Sequence, residues 1–370
     1  MLAVLAGCSS HNSGSPGDGG AGKMGSAGTD GGTAGQGGAA GEGGSSAGAG
    51  GAGGPGGSSA GAPGGAAGAA GAAGGAAGAS VSGLTVEYPV PTAASEPFGI
   101  AAGPDGNVWF TEYSSGKIGR ITLAGVITEF PSNGTELGGI AAGPDGNLWF
   151  TEMSTNKIGR MTPAGGLTEF SIPTAGSSPY AIAPGPDGNL WFVENGTSGI
   201  GRITTGGVIT EFAVPTANSQ PLMLVAGPDG NLWFTEYAGG KIGRITPAGV
   251  VTEFQASGNP WGIAAGSDGN LWFTEETGNK VGRISTAGAV VEYPIPTAGS
   301  GPRGITRGPD GNVWVAESGA NKIARVTPSA TFAEFVVPSA GTNPAQIATG
   351  PDGDLWFSEE VGNRIGRLAP

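Results

Sequence analysis

The sequence predicts an all-β fold, a seven-bladed β-propeller, and three observations predict it. A segment whose commonest form is Gly-Pro-Asp-Gly-Asn-Leu-Trp-Phe-Thr-Glu recurs seven times at a period of 39 to 42 residues. Each repeat holds four short β-prone runs separated by Gly, Pro and Asn, which is the signature of a propeller blade. The last repeat stops after its third run, and a run of fourth-strand type stands before the first repeat.

The repeat is anchored by Asp105, Asp145, Asp187, Asp229, Asp268, Asp310 and Asp352, each followed four residues on by Trp109, Trp149, Trp191, Trp233, Trp272, Trp314 or Trp356. In the second unit, Gly139-Ile140-Ala141-Ala142 reads as the first strand. Asp145-Gly146 reads as a two-residue hairpin turn. Residues 148–152, 157–162 and 167–170 read as the second, third and fourth strands. In the last unit, Arg364-Ile365-Gly366-Arg367-Leu368 is a third strand with no successor. Leu84-Thr85-Val86-Glu87-Tyr88-Pro89 matches the fourth-strand run Val290-Val291-Glu292-Tyr293-Pro294. Residues 84–90 are therefore expected to complete the last blade, which leaves no unpaired ring edge.

The rest of the chain differs in kind. Residues 9–83 are almost wholly Gly, Ala and Ser with no aromatic residue, whereas all 8 Trp follow them. So little apolar surface does not offset ordering entropy, so we read this tract as a disordered tether. A Gly-rich coil of that length spans roughly 45–50 Å. Before it, in residues 1–8, Leu5-Ala6-Gly7-Cys8 resembles the bacterial lipobox, which makes Cys8 the expected lipid attachment site. Met1–Gly7 lacks the charged n-region and long apolar core of a signal peptide, which places the true start codon upstream. Ser9 after the cysteine matches the pattern of outer-membrane sorting. The expected location is the cell envelope, as an outer-membrane lipoprotein or a secreted protein, with the membrane met through the lipid alone.

Composition removes several function classes. The net charge is −13 and the cationic residues of the repeat region are spaced singly, so nucleic-acid binding is not expected. Cys8 is the single cysteine, which excludes an internal disulfide. No apolar run is long enough to cross a membrane as a helix. A monomer is expected.

Comparing the seven copies separates what serves every blade from what is particular to one. Glu112, Glu152, Glu194, Glu236, Glu275, Glu317 and Glu359 follow the Trp-Phe pair in every copy. A ring of carboxylates could hold a cation. The reading we favour is cross-strand surface pairing with Lys117, Lys157, Lys241, Lys280, Lys322 and Arg364, with Gly199 breaking the pattern in the third unit. The variable position lies in a Pro-x-Gly-Ile pattern and is filled by Phe98, Gly138, Tyr180, Leu222, Trp261, Arg303 and Ala345. First strands line a propeller's channel, so these residues should ring its mouth. Phe98, Tyr180, Leu222, Trp261 and Arg303 would form an apolar cup with one cationic handle, suited to a partly aromatic, anionic small molecule or to a protein ligand. Tyr113, Tyr237, Glu276 and Glu360 are expected on the same face.

Pro-x-Gly-Ile, Gly-Pro-Asp-Gly-Asn-Leu-Trp-Phe-Thr-Glu, Lys-Ile-Gly-Arg-Ile-Thr and Ile-Thr-Glu-Phe, seven times over, resemble the virginiamycin B lyase (streptogramin lyase) family throughout residues 84–370. The resemblance implies a propeller that opens the cyclic ester of type B streptogramins by elimination, with Mg²⁺ and a histidine as acid or base. The family's histidines align with Arg303 and Ala345, in Pro302-Arg303-Gly304-Ile305 and Pro344-Ala345-Gln346-Ile347, and Asn343 stands where an acidic residue is implied. The single histidine is His11, in the tether. Arg303 stays protonated and Ala345 carries no proton chemistry. Two readings follow. One is an envelope ligand-binding or interaction module without the lyase step. The other is a carbon–oxygen lyase with a replaced base, for which Glu359, Glu360 and Tyr180 are the candidates, with Glu359 also the candidate ligand for Mg²⁺. A purely structural envelope protein is the third alternative.

Overall fold

The computed structural model describes residues 85–370; Cys8, the tract of residues 9–83 and Leu84 lie outside the described residues. The described residues form seven four-stranded antiparallel sheets and no helix. In the first blade, Pro97–Ala102, Val108–Glu112, Lys117–Ile121 and Ile127–Pro131 pair in succession. Five more sheets repeat this order. The seventh runs Thr85–Pro89, Arg364–Leu368, Leu355–Glu359, Pro344–Thr349, with Thr85 opposite Leu368 and Pro89 opposite Arg364. The N-terminal strand thus closes the last blade, and Pro344–Thr349 lies beside Pro97–Ala102 to complete the ring.

The Asp-Gly turn differs from the sequence expectation. The connection between first and second strands is a five-residue loop, residues 103–107 in the first blade. Its Asp is used as a cap: Asp105 Oδ1 accepts from the Asn107 backbone N–H at 3.2 Å and from Trp109 Nε1 at 2.9 Å, and Oδ2 accepts from Asn107 Nδ2 at 2.8 Å. Gly106 supplies the left-handed backbone (φ 77°). Gly103 is required by contact, since a Cβ there would stand 2.3 Å from Trp109 Cδ1.

The core lies between blades. Each second-strand Trp is fully or almost fully buried, stacks on the aromatic ring of its own fourth strand, and is covered by the third-strand Arg. In the first blade, Trp109 and Phe130 centroids are 5.4 Å apart and the Arg120 guanidinium carbon is 5.5 Å from the Trp109 ring. The next residue, Phe110, faces Gly119 across the ladder, where a Cβ would come within 2.1 Å of the Phe ring. The sixth blade makes the complementary exchange, with Val315 opposite Ala324.

Polar contacts stitch blade to blade on both faces. On one, Arg120 Nη1 donates to the Pro163 carbonyl of the next blade at 3.2 Å, and the last blade repeats this across the closure, Arg367 Nη1 donating to the Leu123 carbonyl at 2.9 Å. On the other, Thr92, in the linker before the first blade, donates to Glu129 through both its N–H and its hydroxyl. The closure repeats this too, with Ser339 donating to Glu87.

Candidate functional site

The variable residues do ring one end of the axis, at the start of each first strand. Their backbones are fixed by hydroxyls of the preceding blade: the carbonyls of Gly138, Tyr180, Trp261, Arg303 and Phe98 accept from Thr111, Thr151, Thr235, Thr274 and Ser358 at 2.6 to 2.9 Å. Val193 and Ala316 replace that hydroxyl in the third and sixth blades. There Asn195 Nδ2 and Ser318 Oγ donate to Pro221 and Pro344 instead. The sequence showed this Thr only as part of a repeated motif; its absence at Val193 and Ala316 was the available signal for a stitching role.

The side chains close the mouth rather than forming an open cup. Phe98, Tyr180 and Trp261, from the first, third and fifth blades, meet edge to face with centroids 5.4, 6.2 and 6.4 Å apart. Leu222 and Ala345 pack into the same cluster, and Tyr113 edges onto Phe98. The rings are large enough to reach one another across the axis, so they fill it. Below this plug the channel holds a cavity of about 140 Å³ lined by Gly99, Ile140, Ala181, Met223, Gly262 and Gln346 among others. Glycine serves there because innermost strands approach closely; a Cβ on Gly99 would meet the Gly138 carbonyl oxygen at 2.6 Å.

The cationic handle is already engaged. Arg303 Nε donates to Glu276 Oε1 at 2.9 Å, and Nη1 donates to Glu360 Oε2 at 3.3 Å. Tyr237 donates its hydroxyl to Glu276 Oε2 at 2.8 Å. Burial works against the Arg303 charge, but Glu276 and Glu360 outweigh it and hold its pKa above the ordinary value. Burial pushes the Glu360 carboxyl up despite Arg303. Burial, then Glu276, pushes the Tyr237 phenol up to about 12. Glu96 and Glu136 stand at the same rim position in neighbouring blades, both in the left-handed region (φ 54° and 55°). The local charge is thus negative, opposite in sign to the anion-binding mouth expected from sequence.

The three candidate bases separate. Tyr180 and Glu360 share the mouth, but burial drives the Tyr180 phenol far above its usual range, so it holds its proton. Glu359 points outward, toward Thr342, Arg364 and Glu87, and is fully buried with both carboxylate oxygens unpartnered. Burial, then Glu87, raises its pKa to about 7. The Mg²⁺ implied by the resemblance does not fit these donors. The Glu359–Glu87 pair already has the Arg364 guanidinium beside it, and no group of three His, Cys, Asp or Glu is arranged for a metal among the described residues.

The repeated glutamates also depart from expectation. All seven are buried, from 0 to 2% exposed, although the register does set Glu112 opposite Lys117. The lysines reach past them to the fourth strand: Lys117 Nζ lies 2.8 Å from Glu129, and Lys157 Nζ 2.7 Å from Glu169. Lys280 alone also approaches its second-strand partner, at 4.0 Å from Glu275. Burial, then the fourth-strand carboxylate, raises Glu236 and Glu317 to about 7. A lysine stem long enough to reach solvent chooses the more exposed carboxylate, which leaves the inner one unpaired.

Comparison with known proteins agrees with this architecture. The model of the virginiamycin B lyase family matches residues 72–255 and 135–370. A virginiamycin B lyase from Staphylococcus aureus, in its selenomethionine form, superposes with a TM-score of 0.74 at 38% identity, over 78% of this chain and 99% of that one. A streptogramin B lyase structure gives 0.74 at 38% identity, over 77% and 97%. A catalytically inactive histidine-to-alanine variant of the Staphylococcus aureus enzyme, solved with quinupristin, gives 0.74 at 39%, over 78% and 99%. Two matches that together span the whole ring, and relatives sharing more than a third of its residues, leave one conclusion: this chain belongs to the virginiamycin B lyase family.

Proposed function

We propose that this chain is a virginiamycin B lyase-like propeller that works as a ligand-binding or interaction module at the cell envelope, tethered through a lipid on Cys8, and that it does not perform the family's elimination. The observation that carries this is the pair Arg303 and Ala345 at the positions where the family's histidines align. Arg303 is a permanent cation held by two carboxylates, and Ala345 is fully buried against the aromatic plug. Neither exchanges a proton near neutral pH. The solved relative with quinupristin is described as inactive after loss of one histidine.

The ligand this mouth suits is partly aromatic and neutral or cationic. Tyr113, Tyr180 and Tyr237 keep part of their rings exposed around the buried Phe98 and Trp261, and Glu276 and Glu360 leave the polar side with an excess of negative charge. Lipid attachment and envelope location rest on Leu5-Ala6-Gly7-Cys8 and the Gly/Ala/Ser-rich tract behind it.

A second reading keeps a lyase step, with Glu360 as base. It is favoured by one feature: Glu360 is the carboxylate at the mouth whose pKa burial raises. Titration calorimetry with quinupristin as probe tests the main reading. Binding that is weakened at least about tenfold by Trp261→Ala supports a mouth site, since hot-spot aromatics contribute on that scale. Binding indifferent to Trp261→Ala and Arg303→Met removes it.

A further inference from the structure

The channel beneath the aromatic plug departs from sevenfold repetition at one level. One residue deeper than Phe98 and its counterparts, five blades carry Gly or Ala, among them Gly99, Ala181 and Gly262, whereas the fourth and seventh carry Met223 and Gln346. These two strands stand as far apart as a ring of seven allows, and their side chains meet across the axis, Gln346 Nε2 donating to Met223 Sδ at 3.6 Å. Their backbones are fixed. The Met223 N–H donates to the Thr235 hydroxyl and the Gln346 N–H to the Ser358 hydroxyl, both at 3.1 Å. The same two hydroxyls hold the carbonyls of Trp261 and Phe98 in the plug above.

The cavity that these side chains border, about 140 Å³, is close to the roughly 150 Å³ that admits benzene in an apolar interior. Its walls are glycine backbone, Ala181 and aliphatic side chains such as Ile140 and Leu224, and Gln346 is the one polar side chain among the described residues that line it. The Gln346 N–H is given to a thioether, which is a weak acceptor. A carboxamide presents donor and acceptor side by side, and a single hydroxyl answers both.

We propose that the channel is a second binding site, beneath the mouth and separate from it, for a phenol: one aromatic ring bearing one hydroxyl. The hydroxyl replaces the thioether as acceptor for Gln346 Nε2 and donates to Gln346 Oε1. The ring packs on the Met223 sulfur, whose unbranched side chain adapts to it. An aromatic carboxylate is rejected, because no cationic side chain lines the cavity among the described residues to offset its desolvation. Entry is from the end of the axis opposite the mouth, where first strands finish in the small, half-buried Ala102, Ala142, Ala226 and Ala265, so the plug stays shut.

NMR of the full chain, labelled with methyl-¹³C methionine and titrated with phenol, tests this. The methionines report on both places: Met223 borders the cavity, and Met153 follows the mouth-side end of the strand Leu148–Glu152. A saturable ring-current shift of the Met223 methyl is expected, with a Kd of about 10⁻⁴–10⁻³ M for a ligand of that size, while the Met153 methyl stays in place. Gln346→Leu should weaken binding about tenfold. Ala181→Leu, which fills the cavity, should abolish it, and benzoate should leave the Met223 methyl unmoved. No saturable Met223 shift below about 10 mM phenol overturns the proposal, as does a shift of Met153 in its place or a Met223 titration unchanged by Gln346→Leu. Gln346→Leu decides the matter even if Ala181→Leu does not fold, because leucine nearly keeps the size of this half-buried side chain.

Discussion

Glu87 and Arg364 are 277 residues apart and meet at 3.5 Å. Every other blade with a cation at this place draws both partners from one stretch of chain 12 residues apart. The N-terminal strand therefore brings more than backbone pairing to the last blade. It restores the carboxylate that both Arg364 and the Ser339 linker require. A chain lacking residues 1–83 should keep the melting temperature of the full chain and elute as a single, unaggregated species. Removal of residues 1–90 should expose the Arg364–Leu368 edge and produce aggregates in size-exclusion chromatography.

The opposed Phe and Gly of each blade form one packing unit. Gly119→Ala should cost about 1–3 kcal/mol, because its Cβ overlaps the Phe110 ring. Adding Phe110→Val should recover part of that loss, since the sixth blade already runs on Val315 and Ala324. Urea unfolding of the two variants measures the recovery; equal destabilisation of single and double variants would contradict it.

Stability should fall as pH rises from about 5 to 8. Glu194, Glu236, Glu317 and Glu359 have folded-state pKa values of about 7 against an ordinary 4.5, so the native state holds protons that the unfolded chain releases. Their contribution is present below 4.5 and is lost as pH climbs to 7. The fourth-strand acids act oppositely. Burial opposes their ionisation, yet the lysines win and hold Glu129, Glu169 and Glu253 below their ordinary value, so acid below that range destabilises. Thermal melts should peak at about pH 5, and Glu236→Gln should flatten the decline on the alkaline side.

Arg303 holds two carboxylates at the mouth. Arg303→Met should leave Glu276 and Glu360 facing each other without a counter-charge and destabilise the chain by about 3 kcal/mol near neutral pH. The triple variant Arg303→Met, Glu276→Gln, Glu360→Gln should regain most of it. Differential scanning calorimetry at two pH values distinguishes charge repulsion, which lessens in acid, from lost packing, which does not.

Much of this was legible in one sequence because seven copies report on one another. The period of the Asp and Trp residues gave the blade count. The orphan third strand at Arg364 and the stray fourth strand at Glu87 gave the closure. The Pro-x-Gly-Ile position located Phe98, Tyr180, Leu222, Trp261 and Arg303 at one end of the axis. What repetition does not carry is which way a side chain turns where a strand ends. Glu112, Glu152, Glu236, Glu275 and Glu317 lie opposite lysines in register yet are buried, and consecutive Glu359 and Glu360 diverge, one toward Glu87 and Arg364 and one to Arg303 at the mouth. Arg303 could be read as a free handle because its partners, Glu276 and Glu360, lie 27 and 57 residues away in neighbouring blades. The filling of the axis by three rings depends on side-chain reach across the channel, which no spacing encodes.

The most direct test is to incubate the purified full chain with quinupristin and Mg²⁺ and follow the antibiotic by reversed-phase chromatography, since ring opening by elimination leaves its mass unchanged. An undiminished substrate peak, beside complete conversion by an active family member, is the predicted result. A new product peak that disappears with Glu360→Gln would contradict a mouth built for binding alone.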